Sequence, residues 1–299
     1  MRALSASAFV LAAVVTGCGE RWPSPPPVDP AEYQKEHSAF LEEEQAYLSE
    51  VLPVIGIWPL EDGETAFGAD PAGPIVLPAA AVPPRAGTFR RTGDQITVVP
   101  ASGFGLRMND GSPLAAEQPA ESVLAGPLRL DVTQVGDERR WVAAIDTTHP
   151  AIAAPPALPA FPTDERWRVM ARFDAFDPPK RVRVPDVRGG SMEFTAVGQL
   201  LFRLEGQELR LTAVGAEGDP RFAVWFKDQT NGSTTYGGYR TVRPQVVANG
   251  EWTVLDFNFA YNPPCAYSIF TTCPLPPPEN RLPVAIEAGL KQLPSAKGY

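Results

Sequence analysis

Hydrophobic residues recur along the chain with two different periods, and the change of period divides it. Between 31 and 52 the sequence contains no Pro or Gly, and Tyr33, His37, Phe40, Leu41, Tyr47, Leu48, Val51 and Leu52 fall at helical spacing, with Glu42, Glu43 and Glu44 mainly on other faces. Residues three and four apart share a helix face, so this spacing predicts one amphipathic helix, which Pro53 terminates. Beyond Pro53 the period becomes two: Ile96/Val98, Leu128/Leu130/Val132, Trp141/Ala143/Ile145, Trp167/Val169/Ala171/Phe173, Val182/Val184 and Leu209/Leu211/Ala213 alternate with partly polar neighbours. Successive side chains of a strand point to opposite faces, so these segments predict half-buried antiparallel strands. Gly and Pro clusters between them favour hairpins and meanders over helical crossovers. The expected fold is mainly β, an antiparallel sandwich or barrel-like set of sheets with one N-terminal amphipathic helix and no parallel α/β sheet. Residues 89–98 and 202–211 align without gaps as strand, Gly-containing turn and strand, which a duplicated sheet or two independent hairpins would both explain.

The amino terminus follows a third pattern. Met1-Arg2 supplies one positive charge, residues 3–16 are uncharged and mostly apolar, and small residues follow, the order found in a secretory signal. The run is shorter than the ~20 residues a helix needs to span a bilayer. It ends in Val15-Thr16-Gly17-Cys18, which resembles the bacterial lipobox; the resemblance implies cleavage before Cys18 and a diacylglyceryl group on its thiol. Residues 1–17 are therefore expected to be a lipoprotein signal peptide and 18–30 a Pro-rich tether, with Pro23, Pro25, Pro26, Pro27 and Pro30 spacing the protein from the lipid surface. Residues 31–299 form the expected β-rich domain. Gly19, where an Asp would signal inner-membrane retention, implies outer-membrane delivery: the expected location is the bacterial cell envelope, facing the periplasm, with the membrane as the partner of Cys18.

Composition adds exclusions. The chain has 34 Pro in 299 residues, about twice the usual ~5% share, yet keeps 44% hydrophobic residues and 15 Phe, so the prolines punctuate a packed structure rather than prevent one. A net charge of −9 has the wrong sign for holding a phosphate backbone, and no nucleic-acid partner is expected. With only His37 and His149, no multi-histidine metal site can be assembled, and neither metal nor cofactor is expected. His37 reads as a packed helix residue and His149 as a loop residue capping a turn. Neither G-x-x-x-x-G-K-[ST] nor a G-x-G-x-x-G between strand and helix is present.

The last quarter holds the candidate chemistry. Phe222, Ala223, Val224, Trp225 and Phe226 form an apolar strand that leads into Asp228, Thr230, Asn231, Gly232, Thr235 and Tyr236. In 252–259, period two puts Leu255, Phe257 and Phe259 on one face and Asp256 with Asn258 on the other. A carboxylate in so apolar a strand needs hydrogen-bond donors around it, whether it ties loops together or serves a site. Cys265 and Cys273 share a proline-stiffened loop between Tyr261-Asn262 and Glu279-Asn280. In an exported protein they are expected to pair as a disulfide, the rival being a reactive free thiol at Cys265.

Three patterns run through this region. Phe226, Asp228, Thr230, Gly232, Thr235 and Tyr236 meet F-x-D-x-T-x-G-x-x-T-Y; the stretch from Leu255 to Ala266 meets L-D-F-N-x-A-Y-N-P-P-C-A; and that from Thr272 to Asn280, Glu279 included, meets T-C-P-L-P-P-x-E-N. In them the chain resembles the DUF1684 family of uncharacterised bacterial proteins, over roughly residues 40–293, weakly in the middle and strongly after 222. Three departures stand out: Tyr239 for a Gly before Arg240, Ile145 for an Arg before Asp146, and Leu290 for an acidic residue. The resemblance implies a β-rich fold and no assigned reaction.

These residues suggest a lipid-anchored protein that presents a pocket to a small envelope molecule, walled by Trp225, Tyr236 and Tyr261 and carrying Asp228, Asp256 and Asn258. Thr230, Thr235, Asn262, Glu279 and Asn280 are the further binding candidates. The alternatives are a hydrolase-like envelope enzyme, with Asp256 or Asp228 as general base and Tyr236 or Arg240 as acid or anion clamp, and a scaffold in which these residues only organise loops.

Overall fold

A computed structural model describes residues 22–135, 139–187, 189–216 and 218–294. The expected signal peptide and Cys18 lie outside them. Helix α1 spans Pro30–Val51. Asp29 caps it, its Oδ1 accepting from Ala31 N at 2.9 Å and Glu32 N at 3.0 Å, while Pro30 at the first helical position has no amide to leave unpaired. Leu52 closes the last turn and Pro53 cannot continue it.

Past α1 the chain is mainly β, in several antiparallel sheets. Two five-stranded sheets come first. One runs in the order Val54–Pro59, Arg139–Asp146, Leu128–Val135, Ser122–Ala125 and Arg107–Met108, the other Ile75–Val76, Gly63–Gly68, Gly87–Thr92, Gln95–Pro100 and Gln118–Pro119. Their inward residues, among them Phe67, Phe89, Val98, Leu130 and Val142, make one core. A two-residue parallel pairing of Phe67 and Gly68 with Ile75 and Val76 departs from the otherwise antiparallel pattern. The second half carries a sheet ordered Gln207–Val214, Ser191–Leu204, Arg168–Pro185 and Trp252–Asp256, with the pair Val224–Phe226 and Arg240–Val242 beside it. Trp167, Phe202, Leu211, Phe226, Leu255 and Phe257 fill a separate core there. Gly198 in the second strand of that sheet is required by close approach, since a Cβ would sit 2.4 Å from the Asp174 carbonyl oxygen.

α1 packs on this second half and not on the sheets that directly follow it. Leu48 and Val51 bury against Tyr236, Tyr239, Cys265, Tyr267 and Leu293. The segment ahead of the helix also lies on the protein from Trp22 onward. The Trp22 ring meets Trp252 edge-on at 5.0 Å, the Arg203 guanidinium lies 4.8 Å from the same ring, and Arg168 Nη1 donates to the Pro26 carbonyl at 3.1 Å. A tryptophan anchor and carbonyls left free by the prolines give this segment a reason to dock.

The similar stretches 89–98 and 202–211 are two independent hairpins. Phe89 pairs with Val98, whereas Phe202 pairs with Leu209 instead of Leu211, the partner that a gapless duplication requires. The second hairpin turns through Glu205 and Gly206, both at positive φ, the geometry that matches strand twist in a two-residue loop.

The 252–259 stretch does not continue as one strand. It ends at Asp256 and gives way to a 3-10 turn, Phe257–Phe259. The cause is local: Asp256 Oδ1 accepts from Asn258 N at 3.1 Å, and a short carboxylate bonded to the amide two residues on competes with the ladder.

Candidate functional site

Asp228 turns the chain after the apolar strand. Its Oδ1 accepts from Thr230 N at 2.7 Å and Thr230 Oγ1 at 2.5 Å, and the Thr230 and Thr235 hydroxyls meet at 2.8 Å. Its Oδ2 accepts from Arg240 Nη2 at 2.7 Å, and both side chains are fully buried. Arg240 also donates to the carbonyls of Ile286, at 2.8 Å, and Ala288. Burial draws its pKa below the ordinary arginine value, against the opposing pull of Asp228. This network joins the 228–236 loop, the Arg240–Val242 strand and the 286–288 segment while sealing its carboxylate from solvent. Tyr236 is buried too, and Tyr239 packs beside Trp225 with Arg240 still paired.

A second buried network centres on Asn280. Its Oδ1 accepts from Thr212 N at 2.7 Å, and its Nδ2 donates to the carbonyls of Thr212 at 2.9 Å and Trp225 at 2.8 Å. Glu279 accepts from the Thr212 hydroxyl at 3.2 Å. Cys265 and Cys273 form a disulfide with a Cα separation of 6.3 Å, within the usual range, so Cys265 is not a free thiol. His149 caps the short Pro150–Ala153 helix, its Nδ1 accepting from Ala151 N at 3.2 Å.

Asp256 and Asn258 meet, but in order to hold α1. Asp256 Oδ2 accepts from Tyr33 Oη at 2.9 Å and Arg168 Nε at 3.0 Å, and its Oδ1 accepts from Asn258 Nδ2 at 3.0 Å. Asn258 Nδ2 also donates to the Asp164 carbonyl at 3.0 Å, and the Asn258 carbonyl lies 3.2 Å from His37 Nε2. Desolvation raises the Asp256 carboxyl above the usual carboxylate range, opposed by Tyr33, Asn258 and Arg168. Burial lowers the pKa of His37 and so favours its neutral form.

Between α1 and the wall formed by Val242, Arg243, Pro244 and Gln245 opens a groove of about 1260 Å³. Of the residues singled out in the sequence, Asp256, Tyr261 and Asn262 line it. Asp228, Thr230, Thr235, Tyr236, Arg240, Asn258, Glu279 and Asn280 do not, so the expected meeting of all these groups at one place is replaced by a groove and buried networks behind it. Sequence reasoning missed Glu44, which lines the groove from α1. Burial and the neighbouring Glu43 push its carboxyl up to about 7. The signal was available: Glu44 stands four residues from both Phe40 and Leu48 and three before Tyr47, on the apolar stripe and not opposite it. Among the described residues no cluster of three or more His, Cys, Asp or Glu side chains is placed to hold a metal, and no helix is long and apolar enough to cross a membrane.

The DUF1684 family model, described as a protein of unknown function, matches residues 156–291. An uncharacterized protein of Haloarcula marismortui, solved by solution NMR, is 31% identical over 46% of this chain and 76% of its own, with a TM-score of 0.40. Over residues 156–291 the chain belongs to the DUF1684 family. No curated protein matches it. The DUF1684 match is shorter than the span expected from the sequence and leaves out α1 and both five-stranded sheets. Asp146, which the resemblance set against a family Asp, falls outside it and bonds locally, accepting from Thr148 N at 2.9 Å and Thr148 Oγ1 at 2.6 Å. Within the DUF1684 region lie both buried networks, the disulfide and the strand wall of the groove; α1 supplies the opposite wall.

Proposed function

We propose that this is a lipid-anchored cell-envelope protein that presents the groove beside α1 to a small molecule. The single observation that carries the binding role is the groove's charge: Glu43, Glu44, Arg221 and Arg243 line it from its two sides, and among the described residues none of the four forms an ion pair. A concave site with polar groups left for an occupant is the usual form of a ligand pocket. Arg221 and Arg243 lie on one face of their strand pair, since Arg221 bridges to Gln245 and Val224 pairs with Val242. The rigidity such a wall needs comes from the Asp228–Arg240 and Asn280 networks behind it, which supports a structural role for those residues. The general-base alternative loses its footing at Asp228, whose two oxygens are both occupied and sealed from solvent.

The anchor follows from the lipobox at Cys18. Cys18 is four residue steps from the docked Trp22, so an acyl chain there would attach within about 14 Å of that tryptophan and hold the protein close to the lipid surface. Two experiments test the reading. Cells producing Cys18→Ser should release the protein from the membrane fraction; unchanged association removes the anchor. A melting-shift screen of small molecules against the purified protein should find compounds that stabilise it, and Ala39→Trp, which fills the groove from α1, should abolish those shifts. Shifts that survive Ala39→Trp, or none with any compound, refute the groove as a binding site.

A further inference from the structure

We propose that the end of the groove beside Glu44, Tyr47, Tyr261 and Asn262 binds the protonated amine of a small organic ligand. The inference rests on the groove reading above and names its ligand class.

Glu44 projects from α1 into the groove, and among the described residues no hydrogen bond or ion pair reaches its carboxylate. A half-buried carboxylate without donors is costly, and what it lacks is a cation. Its neighbours are phenols: Tyr47, Tyr261 and Tyr267 all feel its charge. Arg243, the guanidinium of this region, is engaged by Tyr261 instead. Asn262 repeats the shortage. It is 1% exposed and lines the groove, its Nδ2 donates to the Lys291 carbonyl at 3.0 Å, and among the described residues its Oδ1 accepts from no group. Two acceptors without donors, set among aromatic rings, match an ammonium group, which brings three N–H donors and a charge that ring faces attract. An anionic ligand group would face Glu43 and Glu50 on the same wall of α1, and a neutral apolar one would leave Glu44 as unpaired as before.

Competition with protons gives the proposal a signature. Among the described residues the titratable groups that interact with Glu44 are Glu43 and Tyr47 of α1 and Tyr261 and Tyr267 across from it, while Glu50 and the Tyr261-bonded Arg243 line the same groove. With its carboxyl pushed up to about 7, Glu44 must give up a proton before it can hold a cation in mildly acid solution.

The probe is n-butylammonium, titrated calorimetrically into the full chain between pH 5 and pH 8, with 1-butanol as the neutral isostere. The ammonium should bind and the alcohol should not, and the apparent affinity should fall about tenfold for each pH unit below 7 as protons compete. Glu44→Gln should lose the binding without a fall in melting temperature, because the carboxylate has no partner to lose. Equal binding of the alcohol, or ammonium binding with the same pH slope in Glu44→Gln, overturns the assignment. Should that variant fail to fold, the Glu44 carboxyl resonance of the unaltered protein decides: its pKa must drop on saturation with butylammonium, and an unmoved pKa overturns the assignment equally. Compounds of other charge that bind the groove while butylammonium stays silent refute the amine and leave the groove reading standing; silence of every compound refutes both.

Discussion

Asp228→Asn is the sharpest test of which carboxylates hold this protein together. The substitution keeps the shape and removes the charge. If the new amide oxygen takes over the bonds from Thr230 N and Thr230 Oγ1, the amide nitrogen is left facing Arg240 Nη2, donor against donor, where 2.7 Å now separates carboxylate from guanidinium. The guanidinium keeps only the Ile286 and Ala288 carbonyls, in a place with no access to water. Breaking a buried ion pair from one side costs about 3–5 kcal/mol, because the remaining charge stays unpaired. Asp228→Asn should lose that much, and Arg240→Met a similar amount. The double variant should lose far less than their sum, since the second change removes the charge that the first one orphaned. Urea denaturation at pH 7 measures all three as shifts of midpoint at constant slope. A loss within about 1 kcal/mol of zero for Asp228→Asn, well under the buried-pair cost, would refute the reasoning, as would additive single effects. Ligand binding lost at unchanged stability would return Asp228 to the list of site residues.

Other consequences can be measured separately. Cys265→Ser with Cys273→Ser should lower stability by about 2–3 kcal/mol on the chain-entropy account of a short loop, and in the unaltered protein neither cysteine should alkylate before reduction. Asn280→Ala leaves the Thr212 amide and the Thr212 and Trp225 carbonyls unpaired, so it should cost about 1–3 kcal/mol per orphaned group at most; hydrogen exchange at the Thr212 amide should quicken, and unchanged protection would contradict the network. Glu44→Gln should stabilise in a pH-dependent way. The folded-state pKa of Glu44 is raised from 4.5 to about 7, so its favourable contribution is complete below 4.5 and lost as pH rises through 7. The variant should match the unaltered protein in acid and exceed it by about 1–3 kcal/mol at pH 8, the full linkage discounted for partial exposure. A difference that does not change with pH would mean that Glu44 is not desolvated.

Much of the secondary structure was legible because its causes are local. The helical spacing from Tyr33 to Leu52, the two-residue period of the strands and the stopping power of Pro53 act over a few residues, and α1 and the antiparallel sheets follow them closely. The pairing of Cys265 with Cys273 belongs with these, since the two stand eight residues apart in one loop and the expected export would favour it. The turn at Asp256 is local as well: the alternation of Leu255, Phe257 and Phe259 favours a continuing strand, and a single bond from the Asn258 amide ends it there.

Pairings between distant residues were decided only by tertiary structure. Asp228 meets an arginine twelve residues on, Asn280 serves Thr212 sixty-eight residues back, and Asn258 receives His37 from a helix 221 residues earlier. Nothing in the two flanking sequences of such a pair records the other. Glu44 is the clearest case. Its position on the apolar stripe was in the sequence, and so was the neighbouring Glu43, but the larger cause of its raised pKa, burial, exists only because the chain packs against α1. Sequence determines which faces are apolar and where the chain turns; it does not by itself say which faces meet, and burial, which sets the cost of a charge, arises only when they do.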